Sequence, residues 1–306
     1  MIAFACILAA TGPLAAWWLW RRGAAITRAV VGLLALAYLL GVWAVLIEPQ
    51  TLSVREVAVE SPAWRGAPVR IGVLSDVHVG PDHMPPDRVR RIVTRLNRER
   101  PDVIVFLGDY VGGHAPAAQR SEPDRAEVMK GVAALGEARA PLGRYAVLGN
   151  HDWWFGGLLV EAALTRAGAP VLENRAVRID RPGGSFWIAG LADMESARAS
   201  PSAAAALREI PDGEPAIVLT HWPDTFPGIP DRIALTLAGH SHCGQVNLPF
   251  VGRPVLPSPG SARWPCGVYR EGERQLYVTG GVGTSILPVR FRAPPEIVIV
   301  TLSAAP

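Results

Sequence analysis

The stretch "VRIGVLSDVH", residues 69–78, places a run of apolar residues directly before an aspartate and a histidine. A run of this kind is typical of a strand that is buried on both faces of its sheet. Residues 89–96 follow with apolar side chains at i, i+3, i+4 and i+7, which is the spacing of an amphipathic helix. The next apolar run, "VIVFL" at 103–107, again has strand character. This alternation of strand and helix predicts a layered α/β domain.

The remainder of the chain continues the alternation and then becomes richer in strands. Helices are predicted near residues 128–135 and 157–167, and the second of them should end before Gly168. Further strands are predicted at 145–148, 185–190, 216–220, 233–238, 275–279 and 296–302. Residues 49–306 are therefore interpreted as one domain, and the segment that precedes residue 69 is interpreted as a junction that leads into it.

Polar side chains stand where these strands end. Nine of them follow five of the apolar runs, namely Asp76, His78, Asp109, Asn150, His151, Asp152, His221, His240 and His242. In open α/β sheets the carboxyl edge of the strands is where ligands bind, so these side chains are expected at one rim. His240 and His242 lie at i and i+2, which directs both rings to the same side, and Gly239 leaves room for a close approach.

The chemistry of this set indicates metal ions. Carboxylate, amide and imidazole groups without thiolates suit borderline divalent ions such as Mn²⁺, Fe²⁺ or Zn²⁺. The number of groups exceeds what one tetrahedral ion takes, so two ions that share one carboxylate fit better. Paired ions activate a water and hold the oxygens of a phosphoryl group that undergoes in-line displacement. The set therefore predicts a phosphoester hydrolase.

Five motifs occur in a fixed order within about residues 69 to 302. They are DxH at 76–78, GD at 108–109, GNHD at 149–152, a histidine at 221 and GHxH at 239–242. Motifs in this order resemble those of the calcineurin-like metallophosphoesterases. The resemblance implies a sandwich of two mixed β-sheets flanked by helices, with a two-metal site at the strand ends.

The same resemblance implies a role for each matched position. The metal ligands would be Asp76, His78 and His242 for one ion and Asn150, His221 and His240 for the other, with Asp109 shared by both. His151 would not bind a metal ion but would protonate the leaving-group oxygen. Histidine suits that role because its ordinary pKa lies near neutrality.

The chain departs from the family pattern at two positions. Many members carry an acidic residue shortly after GD that helps to orient the catalytic histidine, whereas this chain has Gly112 there. Asp152 is expected to take over the orienting role and is counted with His151 as catalytic. Cys243 stands where the related branch commonly has glycine and is interpreted as a small filler. A disulfide between Cys243 and Cys266 stays open, and free thiols are the favoured interpretation.

Two uncharged apolar runs of 19 residues, 2–20 and 29–47, lie near the N-terminus and are separated by "RRGAAITR". Each is within the roughly 17–25 residues that a membrane-spanning helix needs. A signal peptide fits less well, because no basic segment precedes the first run. Residues 1–48 are therefore predicted to form a transmembrane helical hairpin.

The arginines next to the apolar runs predict the orientation in the membrane. Arg21, Arg22 and Arg28 lie between the runs and favour a cytoplasmic connection, whereas Arg55 and Arg65 follow the second run. Three arginines between the runs, against two after the second run, favour a domain on the external, periplasmic side of a bacterial cell membrane. The net charge is +3 and no run of five or six basic residues occurs, so a nucleic-acid partner is not indicated.

These features predict a membrane-anchored hydrolase that cleaves a phosphodiester or pyrophosphate bond of a lipid-linked substrate. The apolar hairpin and the tail "LPVRFRAPPE", 287–296, resemble a branch of bacterial membrane-associated phosphodiesterases. A UDP-2,3-diacylglucosamine pyrophosphatase of lipid A synthesis is the alternative. A non-catalytic metal-binding scaffold fits less well, because every candidate ligand is present. Residues 153–155, "WWF", predict either core packing or an apolar shelf, and Arg290 or Arg292 is expected near an anionic head group.

Overall fold

The computed structural model of the protein describes residues 17, 20, 21, 24–80 and 83–306. The helices in this part of the chain are α1 (Ala25–Val42), α2 (Pro86–Arg98), α3 (Glu122–Ala134), α4 (Asn150–Arg166), α5 (Ala203–Ala206) and α6 (Pro259–Arg263). The strands are β1 (Ser53–Ser61), β2 (Val69–Leu74), β3 (Val103–Phe106), β4 (Arg144–Ala146), β5 (Arg175–Ile179), β6 (Phe186–Gly190), β7 (Ala216–Leu219), β8 (Leu235–Ala238), β9 (Gly267–Glu271), β10 (Arg274–Val278) and β11 (Glu296–Ala304).

The strands form two mixed sheets. The first has the order β1-β11-β2-β3-β4, in which only the β11–β2 pair is antiparallel. The second has the order β5-β6-β7-β8-β10-β9, in which the two outermost pairs are antiparallel and the inner pairs are parallel. The predicted class, α/β with two mixed sheets, is confirmed.

The eight predicted strands are all present, and the three that the sequence does not predict lie at sheet edges. These are β1, β5 and β9. An edge strand is half exposed, so its sequence mixes charged and apolar residues, as in "SVREVAVES" of β1, and shows no continuous apolar run. The interpretation of the segment before residue 69 as a mere junction is therefore wrong, because β1 pairs with β11 over its whole length.

The core lies between the two sheets and beneath the helices. Apolar side chains of β2 and β11 meet those of β6, β7 and β8 in one buried cluster, which makes the sheets a sandwich. The opposite face of the first sheet is covered by α2, α3 and α4, whose buried residues include Val93, Val132 and Leu164. Because both faces of β2 and β3 are covered, their sequences are apolar at nearly every position.

Helix α4 begins seven residues before the predicted start at 157. Its first turn consists of Asn150, His151 and Asp152, directly after β4 and Gly149. The backbone of Gly156 then has φ 148°, which interrupts regular helix geometry in the middle of the element. Because of this interruption, the sequence does not show one continuous helical periodicity from residue 150 onwards. The GNHD motif therefore sits at a helix N-terminus and not in a loop.

One described segment is long and apolar enough to cross a membrane. It comprises α1 and the two turns that continue it, Trp43–Ile47 and Glu48–Gln50, and its mean hydropathy is 2.6 with 11% of the window buried. A helix whose apolar side chains are this exposed is typical of a membrane span. The other predicted span, 2–20, lies outside the described residues except for Trp17 and Trp20, so the hairpin stays a prediction.

Candidate metal centre

The predicted site residues lie together at the carboxyl ends of the strands of both sheets. Asp76 follows β2, Asp109 follows β3, Asn150 follows β4, and the histidines follow β7 and β8. All nine predicted residues are buried, each with 6% or less of its surface exposed. The structure thus brings the whole predicted set to one rim.

The backbone at this rim is strained. Five candidate ligands have φ between 50° and 64°, a region that side chains with a Cβ rarely occupy, namely Asp76, His78, Asp109, His240 and His242. Each such residue costs about 1–3 kcal/mol, and such residues persist at functional sites where the surrounding structure enforces them. The left-handed conformation turns the chain sharply after each strand, so that the side chains converge.

Four of these side chains form the first cluster. Ligand atoms of Asp76, His78, Asp109 and His242 all lie within 4.8 Å of one another. The Nε2 atoms of His78 and His242 are 3.0 Å apart, and Asp109 Oδ2 is 3.6 Å from His78 Nε2. Asp76 Oδ1 lies 3.4 Å from His242 Nε2. Such a spacing allows all four groups to contact one cation.

The second cluster contains Asp109 again, with His221 and His240. Asp109 Oδ2 is 3.3 Å from His221 Nε2, which in turn is 3.2 Å from His240 Nδ1. The other ring nitrogen of His221 contacts the Leu107 carbonyl at 2.7 Å, and this contact directs Nε2 into the site. Asp109 is therefore the carboxylate that both clusters share.

Within the part of the chain that the structure describes, several buried polar atoms at the rim have no hydrogen-bond partner. They include Asp76 Oδ2, Asn150 Oδ1 and His240 Nε2. A buried polar atom without a partner costs about 1–3 kcal/mol, so such a concentration needs an explanation. Divalent cations would satisfy these atoms, and the mixture of carboxylate, amide and imidazole suits borderline ions. The residues present fit a two-metal centre.

Burial decides the charge of most imidazoles in the site. It lowers the pKa of His78 and of His240 to about 3, so both rings are neutral, which is the form that binds metals. At His221 burial acts in the same direction, but the Asp109 carboxylate outweighs it and raises the pKa to about 10. Burial likewise opposes the charge of Asp109, yet the adjacent His221 and His151 rings hold the pKa of this carboxyl well below its ordinary value.

His151 lies beside the clusters and faces them. Its backbone N–H donates to Asp109 Oδ1 at 2.9 Å, and its ring Nδ1 contacts the Gly113 carbonyl at 3.0 Å. A carbonyl oxygen only accepts, so Nδ1 carries the hydrogen. This arrangement leaves Nε2 directed at the site, 4.0 Å from Asp109 Oδ2.

Asp152 has a different role from the one expected. Its two carboxylate oxygens accept the backbone N–H groups of Asp109, Tyr110, Val111 and Gly149 at 2.9–3.1 Å. All its acceptor positions face the backbone, and the partner of the His151 ring is the Gly113 carbonyl. The orienting role expected for Asp152 is therefore corrected. This carboxylate fixes the turn that carries Asp109.

We expect Asp152→Asn to destabilise the fold, because the new amide turns an N–H₂ group towards backbone donors and leaves some of them buried without an acceptor. The free energy of unfolding should fall by about 3 kcal/mol or more. Thermal unfolding of the full chain in detergent, followed by circular dichroism, measures this. Asp87→Asn is the matched control, because its side chain is 80% exposed. Equal melting temperatures for wild type and Asp152→Asn would contradict the assignment.

The glycine at 112 is explained by packing. A Cβ atom at this position would lie 2.8 Å from the carbonyl oxygen of His78, so the backbone there leaves no room for an acidic side chain. The family's orienting acid therefore has no place in this chain, and the next residue, Gly113, contacts the His151 ring through its carbonyl.

The structure adds side chains to the site that the sequence pattern does not indicate. A cleft of about 560 Å³ beside the first cluster is lined by His78, His83, His114, Arg120, Ile286 and Leu287. The His114 ring lies 5.0 Å from that of His151 and 5.3 Å from that of Trp154. His83 and His114 lie in loops and end no strand, which is why the strand-end pattern does not include them.

Two further expectations concern the neighbourhood of the metal centre. Arg290 is fully buried, and its guanidinium donates to the carbonyls of Gly280, Gly281, Gly283 and Ala293, so its side chain fixes the course of this loop. Cys243 and Cys266 are both free, and Arg253 donates to Cys266 Sγ at 3.3 Å.

Comparison with known proteins gives a consistent result. Residues 69–244 match the family model of the calcineurin-like phosphoesterases. An uncharacterized metallophosphoesterase of Bacillus subtilis, YkuE, is 31% identical over 77% of this chain and 79% of its own length. The phosphodiesterase YaeI of Escherichia coli is 30% identical over 77% and 83%.

A relative from Bos taurus extends the similarity to the N-terminal part. It is named a transmembrane protein with metallophosphoesterase domain, and it is 30% identical over all of this chain and 71% of its own length. The narrower resemblance to UDP-2,3-diacylglucosamine pyrophosphatases stays a prediction. The family match and the convergence of its motif residues at one rim lead to one conclusion: the chain belongs to the calcineurin-like phosphoesterases and is a hydrolase of the metallophosphoesterase type.

Proposed function

We propose that the protein is a membrane-anchored phosphodiesterase or pyrophosphatase that uses two divalent metal ions and acts on a lipid-linked substrate. The observation that carries this proposal is the pair of ligand clusters that share Asp109. One ion would be held by Asp76, His78, Asp109 and His242, and the other by Asp109, Asn150, His221 and His240. When bound, the ions supply an activated water and compensate the charge of the phosphoryl oxygens.

His151 is the proposed general acid. Its Nδ1–H donates to the Gly113 carbonyl, which fixes the ring plane and leaves Nε2 directed at the reacting centre. In its protonated form the ring carries a second hydrogen on Nε2, and this proton can pass to the leaving-group oxygen as its bond to phosphorus breaks. Asp152 supports this step indirectly, because it holds the turn of Asp109 and Asp109 in turn accepts the His151 backbone N–H.

The position of α1 supports a substrate in the membrane. The carbonyl of Ala44 accepts the Arg290 N–H at 2.9 Å, and Glu48 accepts the Ala293 N–H at 2.7 Å, so the end of the apolar segment contacts the loop beside the site. Val45 and His78 line the same narrow cavity. A membrane span that ended next to the first metal cluster would keep the reaction close to the lipid head groups, which supports the proposal.

The activity is tested with the full chain in detergent after metal removal. We expect hydrolysis of bis-p-nitrophenyl phosphate to return with added Mn²⁺ and to be lost with a chelator. Hydrolysis of phosphodiester lipids and of nucleotide diesters in the same assay then distinguishes the substrate classes. No turnover with Mn²⁺, Fe²⁺ or Zn²⁺ would contradict the enzymatic proposal.

The proposed orientation has its own test. Because β1 begins at Ser53, a reporter fused after Arg55 lies just beyond the apolar segment. Alkaline phosphatase at this position should be active and green fluorescent protein should be dark, as expected for an external domain. Bright fluorescence with inactive phosphatase would place the domain in the cytoplasm and would overturn the orientation.

A further inference from the structure

Two loops near the metal centre expose large apolar side chains to solvent. The tip loop, residues 246–256, carries Phe250 with its side chain fully exposed and Val251 and Val255 each 70% exposed. The mouth loop, residues 284–288, carries Ile286 at 83% and Leu287 at 62% exposure. Apolar side chains concentrated in this way mark a surface that contacts a partner or a membrane.

The tip loop has a defined shape. Leu248 and Gly252 exchange backbone hydrogen bonds of 2.7 and 2.9 Å, which closes a narrow turn with Phe250 at its apex. Phe250 has φ 65°, so the turn holds its backbone in the left-handed region. The exposed ring is thus presented by an ordered turn.

The two loops form one surface. The side-chain amide of Gln245 donates to the carbonyls of Ser285 and Leu287 at 3.1 and 3.3 Å and accepts the Ser285 N–H. The Asn247 N–H donates to the Phe291 carbonyl at 2.9 Å. These bonds hold the residue before the tip loop against the mouth loop, and the start of the tip loop against the segment that follows the mouth loop.

This surface is continuous with the apolar segment that includes α1. Val45 and Pro49 of that segment line one cavity together with Thr284 and Pro288 of the mouth loop. The next residues of the chain, Arg290 and Ala293, donate backbone N–H groups to Ala44 and Glu48. A bilayer crossed by α1 therefore begins directly beside the mouth loop.

We propose that the tip loop and the mouth loop are seated in the lipid interface of the bilayer that α1 crosses. The proposal rests on the membrane anchoring proposed above, and a lipid surface is favoured over a protein partner because the mouth loop, to which the tip loop is bonded, adjoins the span itself. Exposed aromatic and aliphatic side chains next to a membrane span are typical of interfacial anchors. Ile286 and Leu287 also line the cleft that contains His78 and His83, so the cleft would open among the head groups. It would then admit the phosphoester of a lipid head group from the same membrane.

The test places an environment-sensitive NBD label in each loop of the full chain. Phe250→Cys and Ile286→Cys proteins are labelled and reconstituted into vesicles of phosphatidylethanolamine and phosphatidylglycerol. Glu273→Cys is the control. Glu273 directly precedes β10, and β10 runs parallel to β8, which leads to His240. Glu273 therefore lies at the ends of the strands opposite to the metal centre. The parent chain, treated identically, gives the background from its native cysteines.

We expect blue-shifted emission at positions 250 and 286 and quenching by lipids that carry bromine in the acyl chains, with neither effect at 273. Emission at 250 or 286 that matches the control and resists quenching would overturn the proposal, and so would a reconstituted chain that alkaline carbonate releases from the vesicles. Both substituted residues are exposed, so the fold should tolerate the changes. Hydrolysis of bis-p-nitrophenyl phosphate by the same samples reports separately on the proposed activity.

Discussion

Asp109→Ala is expected to abolish metal binding and hydrolysis together. Among the described residues, Asp109 alone is common to both ligand clusters, and its second oxygen accepts the backbone N–H of the proposed general acid, His151. Its removal therefore takes a ligand from each proposed ion and leaves the buried rings of His221 and His240 without the carboxylate of their cluster. Metal content by mass spectrometry and Mn²⁺ titration calorimetry should both show the loss, and turnover should fall to background.

Two further variants make this result interpretable. Asp109→Asn keeps an acceptor for His151 but removes the negative charge, so it should fold like the wild type and still bind metal poorly. Asp212→Ala is the surface control, because the Asp212 side chain is 99% exposed and belongs to neither ligand cluster. Retention of two metal equivalents or of wild-type turnover by Asp109→Ala would contradict the two-metal assignment.

His151→Ala should give the opposite combination, with normal metal content and a large loss of rate. The His151 ring bonds to a backbone carbonyl and is absent from both ligand clusters, so its removal leaves the ligands in place. Loss of a general acid typically lowers kcat by about 10²–10⁴. Steady-state kinetics on metal-loaded protein measure the effect.

The leaving group distinguishes a proton donor from a merely structural residue. Nitrophenolate leaves readily without a proton, whereas an alkoxide needs one, so His151→Ala should slow alkyl diesters much more than bis-p-nitrophenyl phosphate. An equal loss for both substrates, or a loss of bound metal, would argue against the proton-transfer role.

The sequence reveals the inner strands and the rim because burial on both faces produces continuous apolar runs. Nearly every residue of β2, β3, β7 and β8 is buried. Each strand is followed by polar residues whose presence solvent exposure does not explain. The edge strands β1, β5 and β9 have no such pattern and are missing from the prediction.

The details within the site depend on contacts that spacing does not encode. Asp152 follows His151 directly, yet the two side chains point in different directions because both belong to the first turn of α4. The orienting partner of His151 is a backbone carbonyl, which carries no residue-type signal. His83 and His114 reach the cleft through loops, whose course is set by the packing around them.

The connection between the apolar segment and the domain is very short. Only Thr51 and Leu52 separate Gln50 from β1, and Glu48 is bonded to Ala293. With the segment in a bilayer, as proposed, no flexible linker would let the domain move away from the membrane or change its angle to it. The fold itself then sets the distance between the reacting centre and the membrane plane. We expect the protein to select among membrane lipids by the height at which their phosphorus lies above the acyl chains, so that lipids whose phosphorus lies beyond a long glycan are poorly placed.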